Sequence, residues 1–440
     1  MRRVAVIGSG ISGLAVAYGL AGRAQVTLFE AGDYFGGHTH TVDVTLDGHT
    51  HGVDTGFLVL NERTYPRLLL LFAELGVEIA KSDMSFSVQV PAGPSSSALE
   101  WSGCDLNTVF AQRRNIVRPR FWRMLTDVRR FNRVTTELAV SGREAELDQS
   151  IGEFLARHSF SDAFRDWYFL PMIGCIWSCP VDQMLRFPVA TMIRFCHNHG
   201  LIQVTDRPQW YTVRDGARHY VEKMLRVIPD ARLRTPVRGV RRGPSITAQA
   251  GVLVSTDTGT ELFDEVVMAC HSDQSLALLA DPSPTETEVL GAIHYQRNRA
   301  VLHTDTSLLP KRRLAWAAWN YERAAEDSRE QAAVCLHYLL NRLQPLPFSS
   351  PVVVSLNPLT EPHPDSVHAE FDYTHPVFDR AAMAAQKRVP ELQGERHTWF
   401  CGAWTRHGFH EDGLMSGEAV CEGLQARLAQ ASAHPARELA

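Results

Sequence analysis

The sequence predicts an α/β fold, a discontinuous domain built on a parallel sheet with an α+β domain inserted into it, and three features predict it. Residues 3–7 (Arg-Val-Ala-Val-Ile) are an apolar, β-branched run cut off by Gly8. Gly10 and Gly13 follow, ahead of helix-forming residues 12–22, and a second apolar run at residues 25–30 ends in Glu30. Strand, glycine turn, helix and strand in that order make a βαβ unit of the Rossmann-like type. The third feature lies far away: residues 398–403 (Thr-Trp-Phe-Cys-Gly-Ala) read as one more buried strand, so the sheet draws on both ends of the chain.

Between these ends, residues 42–60 alternate as short strands around turns at Asp47-Gly48 and Thr55-Gly56. A helix is predicted over 64–76, with Tyr65, Leu68, Leu69 and Phe72 at helical spacing and Gly76 as its stop. Residues 84–103 alternate around Pro-Ala-Gly-Pro and read as a hairpin region. Residues 107–200 read as mostly helical, with Pro171 and Pro180 bracketing a turn. Strands return over 251–271, and residues 292–305 and 314–321 are strand-like and aromatic. A helix from about Ser416 to Ala429 closes the fold, and the tail 431–440 is expected to fray. The expected boundaries are 1–80, 205–285 and 390–430 for the parallel-sheet domain, with 81–204 and 286–389 forming the inserted one.

Composition narrows the function. Hydrophobic residues make up 45% and charged residues 21% of 440, an ordinary globular balance with a net charge of −5. That balance speaks against a nucleic-acid partner. Arginine is locally dense at Arg113, Arg114, Arg118, Arg120, Arg123, Arg129, Arg130 and Arg133. A solvated helix face and a phosphate- or membrane-facing patch are the two readings of that density. Eight cysteines are scattered, and Cys175 and Cys179 are spaced for neither a redox pair nor zinc. Reduced thiols in the cytoplasm follow as the expectation. The apolar N-terminal run holds Gly8, Gly10, Gly13, Gly19 and Gly22, too many for a signal or membrane helix. No transmembrane segment is expected, peripheral membrane contact stays open, and the oligomeric state is not legible.

The glycine-rich opening carries the chemistry. In Gly8-Ser9-Gly10-Ile11-Ser12-Gly13, the first glycine permits a tight turn, the second lets backbone approach a pyrophosphate, and the third lets helix and strand pack closely. The helix N-terminus adds free N–H groups and a positive dipole. Glu30, followed by Ala31, suits two ribose hydroxyls and repels a 2′-phosphate. This motif alone does not separate NAD from FAD. Two further segments favour FAD: Gly36-Gly37-His38 soon after Glu30, and Gly402 through Gly408-Phe409-His410-Glu411-Asp412-Gly413 to Gly417. The second segment reads as strand, glycine loop and helix, and sets another helix N-terminus near the cofactor.

On these pieces, with the strand from Asp264 to Ala269, the chain resembles the flavin-containing amine oxidoreductase superfamily. That superfamily holds amine oxidases, protoporphyrinogen oxidase and carotenoid desaturases. Gly-His-Thr-His-Thr-Val, Val-Asp-Thr-Gly-Phe-Leu-Val, Leu-Pro-Lys-Arg-Arg, Ala-Trp-Asn-Tyr and Gly-Phe-His-Glu-Asp-Gly-Leu resemble a narrower bacterial subgroup of NAD/FAD-binding proteins. Its genes are often associated with fatty-acid-modifying enzymes. The resemblance implies FAD, a backbone contact to adenine at Val237, and Thr55-Gly56-Phe57 beside the flavin ring. It also implies a small-molecule, fatty-acyl or lipid-type substrate.

The chain departs from the amine oxidase pattern in three places. His38 stands where many members have Arg. Arg297-Asn298-Arg299 stands where many have a Lys, and arginine cannot serve as a base. Phe409 stands where amine oxidases often have Tyr. The expected activity is hydride transfer from a substrate C–H to flavin, with oxidation or desaturation of an apolar acyl substrate ahead of a peroxide-releasing amine oxidase and a non-catalytic flavin protein. Phe409, His410 and Arg299 are the candidate catalytic residues. No metal site is expected: His407 and His410 beside Glu411 read as flavin-side polar groups, and no ligand spacing is visible.

Overall fold

A computed structural model describes the chain except residues 93–96, 178–180, 204–206, 245–249, 325–333 and 434–440. Cys179, Pro180, part of the Pro-Ala-Gly-Pro turn and most of the tail, singled out above, lie outside the described residues. The central element is a five-stranded, fully parallel sheet. Its order is Asp230–Arg232, Gln25–Phe29, Arg3–Ile7, Glu265–Met268 and Thr398–Phe400. Three of these strands are the apolar runs read from the sequence, and burial on both faces explains why they do not alternate.

The helix Ile11–Gly19 leads from the first strand to the second and packs on the long helix His410–Ala433. The contact is close: a Cβ on Gly417 would stand 2.4 Å from the Ser12 carbonyl oxygen. The long helix starts six residues ahead of the expected Ser416. Asp412 brings its start forward by accepting the N–H groups of His407 and Phe409 at 3.2 and 3.0 Å.

A seven-stranded mixed sheet forms the second layer, in the order Val367–Val377, His294–His303, Val353–Leu356, Cys335–Leu339, Trp319–Glu322, Phe86–Val90 and Leu99–Ser102. Within 314–321 only the part from Trp319 is strand; a 3-10 turn at Arg313–Ala315 comes first. The hairpin Thr41–Leu46 and His49–Asp54 turns at Asp47 and Gly48, both with positive φ. The helix Pro66–Leu75 ends at Gly76 in the left-handed region.

Residues 106–198 are mostly helical, as read. Pro171 is a correction: it stands inside the helix Leu170–Trp177 rather than at a turn. The chain accommodates it through a π-helical stretch at Arg165–Phe169. Pro171 has no N–H for the Trp167 carbonyl, and the indole N–H of Trp101 takes that carbonyl at 3.1 Å.

Candidate functional site

The first strand ends at Gly8, whose φ of +106° and N–H bond to the Phe29 carbonyl (2.9 Å) turn the chain sharply. A Cβ on Gly13 would lie 1.9 Å from the Gly8 carbonyl oxygen, so only glycine lets helix and turn pack there. Gly10 differs. It caps the helix with extended backbone (φ −61°, ψ 172°) and no side-chain cap, and a Cβ there would meet nothing within 4 Å. The helix start therefore faces open space with its first N–H groups available. Glu30 closes the turn: its carboxylate accepts from the Ser9 N–H (3.0 Å), the Ser9 hydroxyl (2.5 Å) and the Gly32 N–H (2.8 Å).

This turn forms one end of a cavity of about 1220 Å³. That exceeds the roughly 300–1,000 Å³ of ordinary small-ligand sites. Its other end is apolar, walled by Met84, Phe86, Met172, Ile176, Phe195 and Trp319 among others. The Thr55–Phe57 loop, His38 and the Gly408–His410 segment link the two: the Gly36 N–H donates to Ser9 Oγ at 3.1 Å, Phe57 stacks on His410, and Phe409 stacks on Phe195. The loop is pinned to His38, whose carbonyl accepts the Phe57 N–H at 2.7 Å, and a Cβ on Gly56 would sit 2.3 Å from that oxygen.

Five histidines line the cavity, and burial holds all of them neutral. It pushes His38, His271 and His199 down to about 4, and His375 and His410 down to about 3. His410 stacks on Phe57 with ring centroids 3.9 Å apart, and its Nε2 lies 2.7 Å from the Tyr220 hydroxyl. The amide of Asn298 donates to His375 Nδ1 at 2.9 Å, which leaves Nε2–H as the donor of that ring. The Tyr373 hydroxyl lies 2.7 Å from Thr55 Oγ1 and 3.0 Å from His40 Nδ1. Among the described residues His38 Nε2 is buried without a hydrogen-bond partner, a polar atom left for a ligand.

The residues expected from the sequence divide cleanly. Gly8, Ser9, Gly10, Ile11, Ser12, Glu30, Ala31, Gly36, Gly37, His38, Thr55, Gly56, Phe57, Val237, Gly402, Gly408, Phe409 and His410 line this one cavity. Four others do not. Gly13 packs beneath the turn. Glu411 accepts the N–H groups of Arg67 and Leu68 (2.8 and 2.9 Å) and so caps the helix Pro66–Leu75. Asp412 caps its own helix. Arg299 pairs with Glu361 and Glu370, both at 2.9 Å, on the outer face of its strand. Arg299 does not line the cavity. Sequence reasoning missed His271, Tyr220, Tyr373 and His375. Of these, only the alternation of Phe371, Tyr373 and His375 offered a signal.

The site fits a flavin dinucleotide. The open approach at Gly10, the carboxylate at Glu30 and the His38 Nε2 atom left for a ligand share one cavity of about 1220 Å³. A family model described as flavin-containing amine oxidoreductase matches residues 11–312. The fold is similar to that of a putrescine oxidase bound to putrescine, with a TM-score of 0.65 at 15% identity over 97% of this chain and 99% of that one. Cyclohexylamine oxidase from Brevibacterium oxydans IH-35A gives the same four figures: TM-score 0.65, 15% identity, 97% and 99%. A CLA-producing fatty acid isomerase from P. acnes gives a TM-score of 0.64 at 15% identity over 96% and 98%. At such identities the likeness is one of fold.

Proposed function

The chain belongs to the flavin-containing amine oxidoreductase family and is an FAD-dependent oxidoreductase, and we propose that it oxidises or desaturates an apolar, acyl-type small molecule. The absence of any counter-charge for an ammonium at the apolar end of the cavity carries this reading. Among the described lining residues the acids are Glu30, Glu370 and Asp372. Glu30 belongs to the turn, and Glu370 and Asp372 are tied to Arg299 and Arg297 on the exposed strand face. An ammonium brought into the aromatic end would lose its hydration and meet ring faces and neutral imidazoles, but no carboxylate of the described lining, in return. A hydrocarbon chain gains by the same transfer.

Bound FAD supplies the two-electron acceptor for a hydride leaving a substrate C–H. In this reading the Gly8–Ser12 turn and helix start hold the pyrophosphate, Glu30 the ribose, and Val237 the adenine. Gly36–His38, Thr55–Phe57 and Gly402–His410 hold the flavin. Phe409, whose ring lies 4.9 Å from that of Phe195, forms the wall against which a substrate chain is positioned. The stacked His410 and Phe57 exclude water and keep their shape through the Tyr220 hydroxyl. The proposal assigns the cofactor to residues 1–80, 205–285 and 390–430, and most of the apolar end to the remainder.

The test is anaerobic bleaching of the flavin absorbance across matched panels of acyl compounds and amines. Bleaching by acyl compounds is expected. Fast bleaching by amines alone overturns the assignment.

A further inference from the structure

We propose that the surface formed by residues 106–123 docks this protein onto an anionic lipid bilayer. The segment folds as a short helix Leu106–Val109, a 3-10 turn Arg113–Val117 and the opening of the long helix Pro119–Ser141. It carries Arg113, Arg114, Arg118, Arg120 and Arg123, and no acidic residue occurs from Leu106 to Met124. It also exposes apolar side chains that a water-facing surface has no use for: Val117 is 80% exposed, Leu106 78%, Ile116 49% and Trp122 48%.

These groups form one patch. The Trp122 indole N–H donates to the Ile116 carbonyl at 2.7 Å, and its ring lies 5.4 Å from that of Phe110. Arg113 donates to the Phe110 carbonyl at 3.0 Å and reaches Asn107 of the short helix. Arg114 donates to the Ala98 carbonyl, and Arg118 to Ser97 Oγ (2.7 Å) and Asn115 Oδ1 (3.2 Å). Arg120 lies over the Trp167 ring at 4.6 Å. Every partner is a neutral oxygen or a ring, and among the described residues none of the five arginines forms an ion pair. Burial, together with the neighbouring charges of Arg114 and Arg120, holds the Arg118 guanidinium below its ordinary value. Three cations thus crowd one another with no counter-charge.

A solvated helix face would carry acids three or four positions from its arginines, and Arg113, Arg114, Arg118 and Arg120 have none at either spacing, while Asp127, four positions past Arg123, is taken up by Arg130. The same helix does this further on, where Arg130 meets Asp127 at 2.9 Å. A nucleic-acid surface would use the guanidinium groups and leave Leu106, Ile116 and Val117 idle. A bilayer interface uses both sets: lipid phosphates neutralise the arginines while the aliphatic and indole groups enter the headgroup boundary. Among the described residues no helix is long and apolar enough to cross a membrane, so the contact proposed is with the surface alone.

Co-sedimentation of the FAD-loaded protein with vesicles tests this without any turnover, so its result stands apart from the identity of the substrate. The protein is expected to pellet with vesicles containing phosphatidylglycerol and to remain free with pure phosphatidylcholine, and added salt should release it. R114Q and R123Q should each weaken binding about fivefold. V117D should abolish it with unchanged thermal stability, because that side chain is almost fully in solvent. Equal binding to both vesicle types overturns the proposal. So does undiminished binding by the three variants, or duplex DNA that competes as well as the anionic vesicles do.

Discussion

Gly10 and Gly13 offer a paired test of the turn, because the structure assigns them opposite sensitivities. For Gly10→Ala, the backbone at φ −61° and ψ 172° suits any residue, and the added Cβ meets nothing within 4 Å. Restricting the unfolded chain contributes about 0.4–1 kcal/mol of stability, and the poorer helix cap costs about as much. At roughly 0.9 kcal/mol per kelvin for 440 residues, Tm should move by less than about 1 °C. The methyl group would occupy the space through which a pyrophosphate approaches the helix start. Losing two amide-to-phosphate hydrogen bonds at about 1.5 kcal/mol each weakens FAD binding by about 3 kcal/mol, or about 150-fold. Gly13→Ala places its Cβ 1.9 Å from a backbone oxygen. Overpacking of that kind costs about 1–3 kcal/mol or more, so Tm should fall by about 1–3 °C or more along with FAD retention. Differential scanning fluorimetry and titration of flavin-stripped protein with FAD separate the two. An FAD Kd for Gly10→Ala within about threefold of the parent would refute the placement of the pyrophosphate at this turn.

Three further outcomes are expected. Glu30→Ala removes the acceptor of three hydrogen bonds at the turn and should weaken FAD about 30-fold, read by fluorescence titration. FMN, which lacks the adenosine half, should be unaffected, and an equal loss for FMN would point to general damage instead. Burial lowers His38 from 6.5 to about 4, so its contribution to stability is complete above pH 6.5 and is lost as pH falls towards 4. At pH 5 that loss is about 2 kcal/mol, or about 2 °C in Tm. The acid-induced fall in Tm should therefore be about 2 °C smaller in H38Q, and identical profiles would contradict a neutral buried imidazole. Arg299→Ala should leave flavin reduction by substrate within about twofold of the parent in stopped-flow traces, because its partners are the surface acids Glu361 and Glu370.

The opening βαβ unit was legible because buried parallel strands and a glycine turn are written in consecutive residues. The strand Val367–Val377 was not. It lies at the edge of the mixed sheet, half-exposed, and carries Glu370, Asp372 and Pro376 among its apolar positions. With it went Tyr373 and His375, whose buried partners come from remote parts of the chain, Asn298 for instance 77 residues away. Arg299 misled for a local reason. Alternation along its strand turns Arg297 and Arg299 outwards and buries Asn298, so the residue that meets the cavity wall is the amide between the two arginines. Glu411 and Asp412 lie in a glycine-rich segment that does reach the cavity, but their carboxylates serve two helix starts.

The charges along the cavity also constrain how a substrate can lie in it. Among the described lining residues the imidazoles are neutral, the apolar end holds no acid, and the one arginine, Arg238, is paired with Asp257 at 2.8 Å beside Val237. Among the described lining residues a cationic group meets no free carboxylate, and a carboxylate or phosphate head group meets no free lysine or arginine. Burying an unpaired ion costs several kcal/mol, more than a few methylene groups return at about 0.8 kcal/mol each. The part of a substrate that reaches the reacting centre must therefore be uncharged, and a charged head must stay at the rim or outside. A long-chain acyl compound meets that condition by entering tail first. A short diamine cannot, because no part of it lies far from a charge. Chain length is then the variable that separates the readings. Flavin bleaching that improves with each added methylene, up to the length of the apolar end, supports tail-first entry, and rates independent of chain length contradict it.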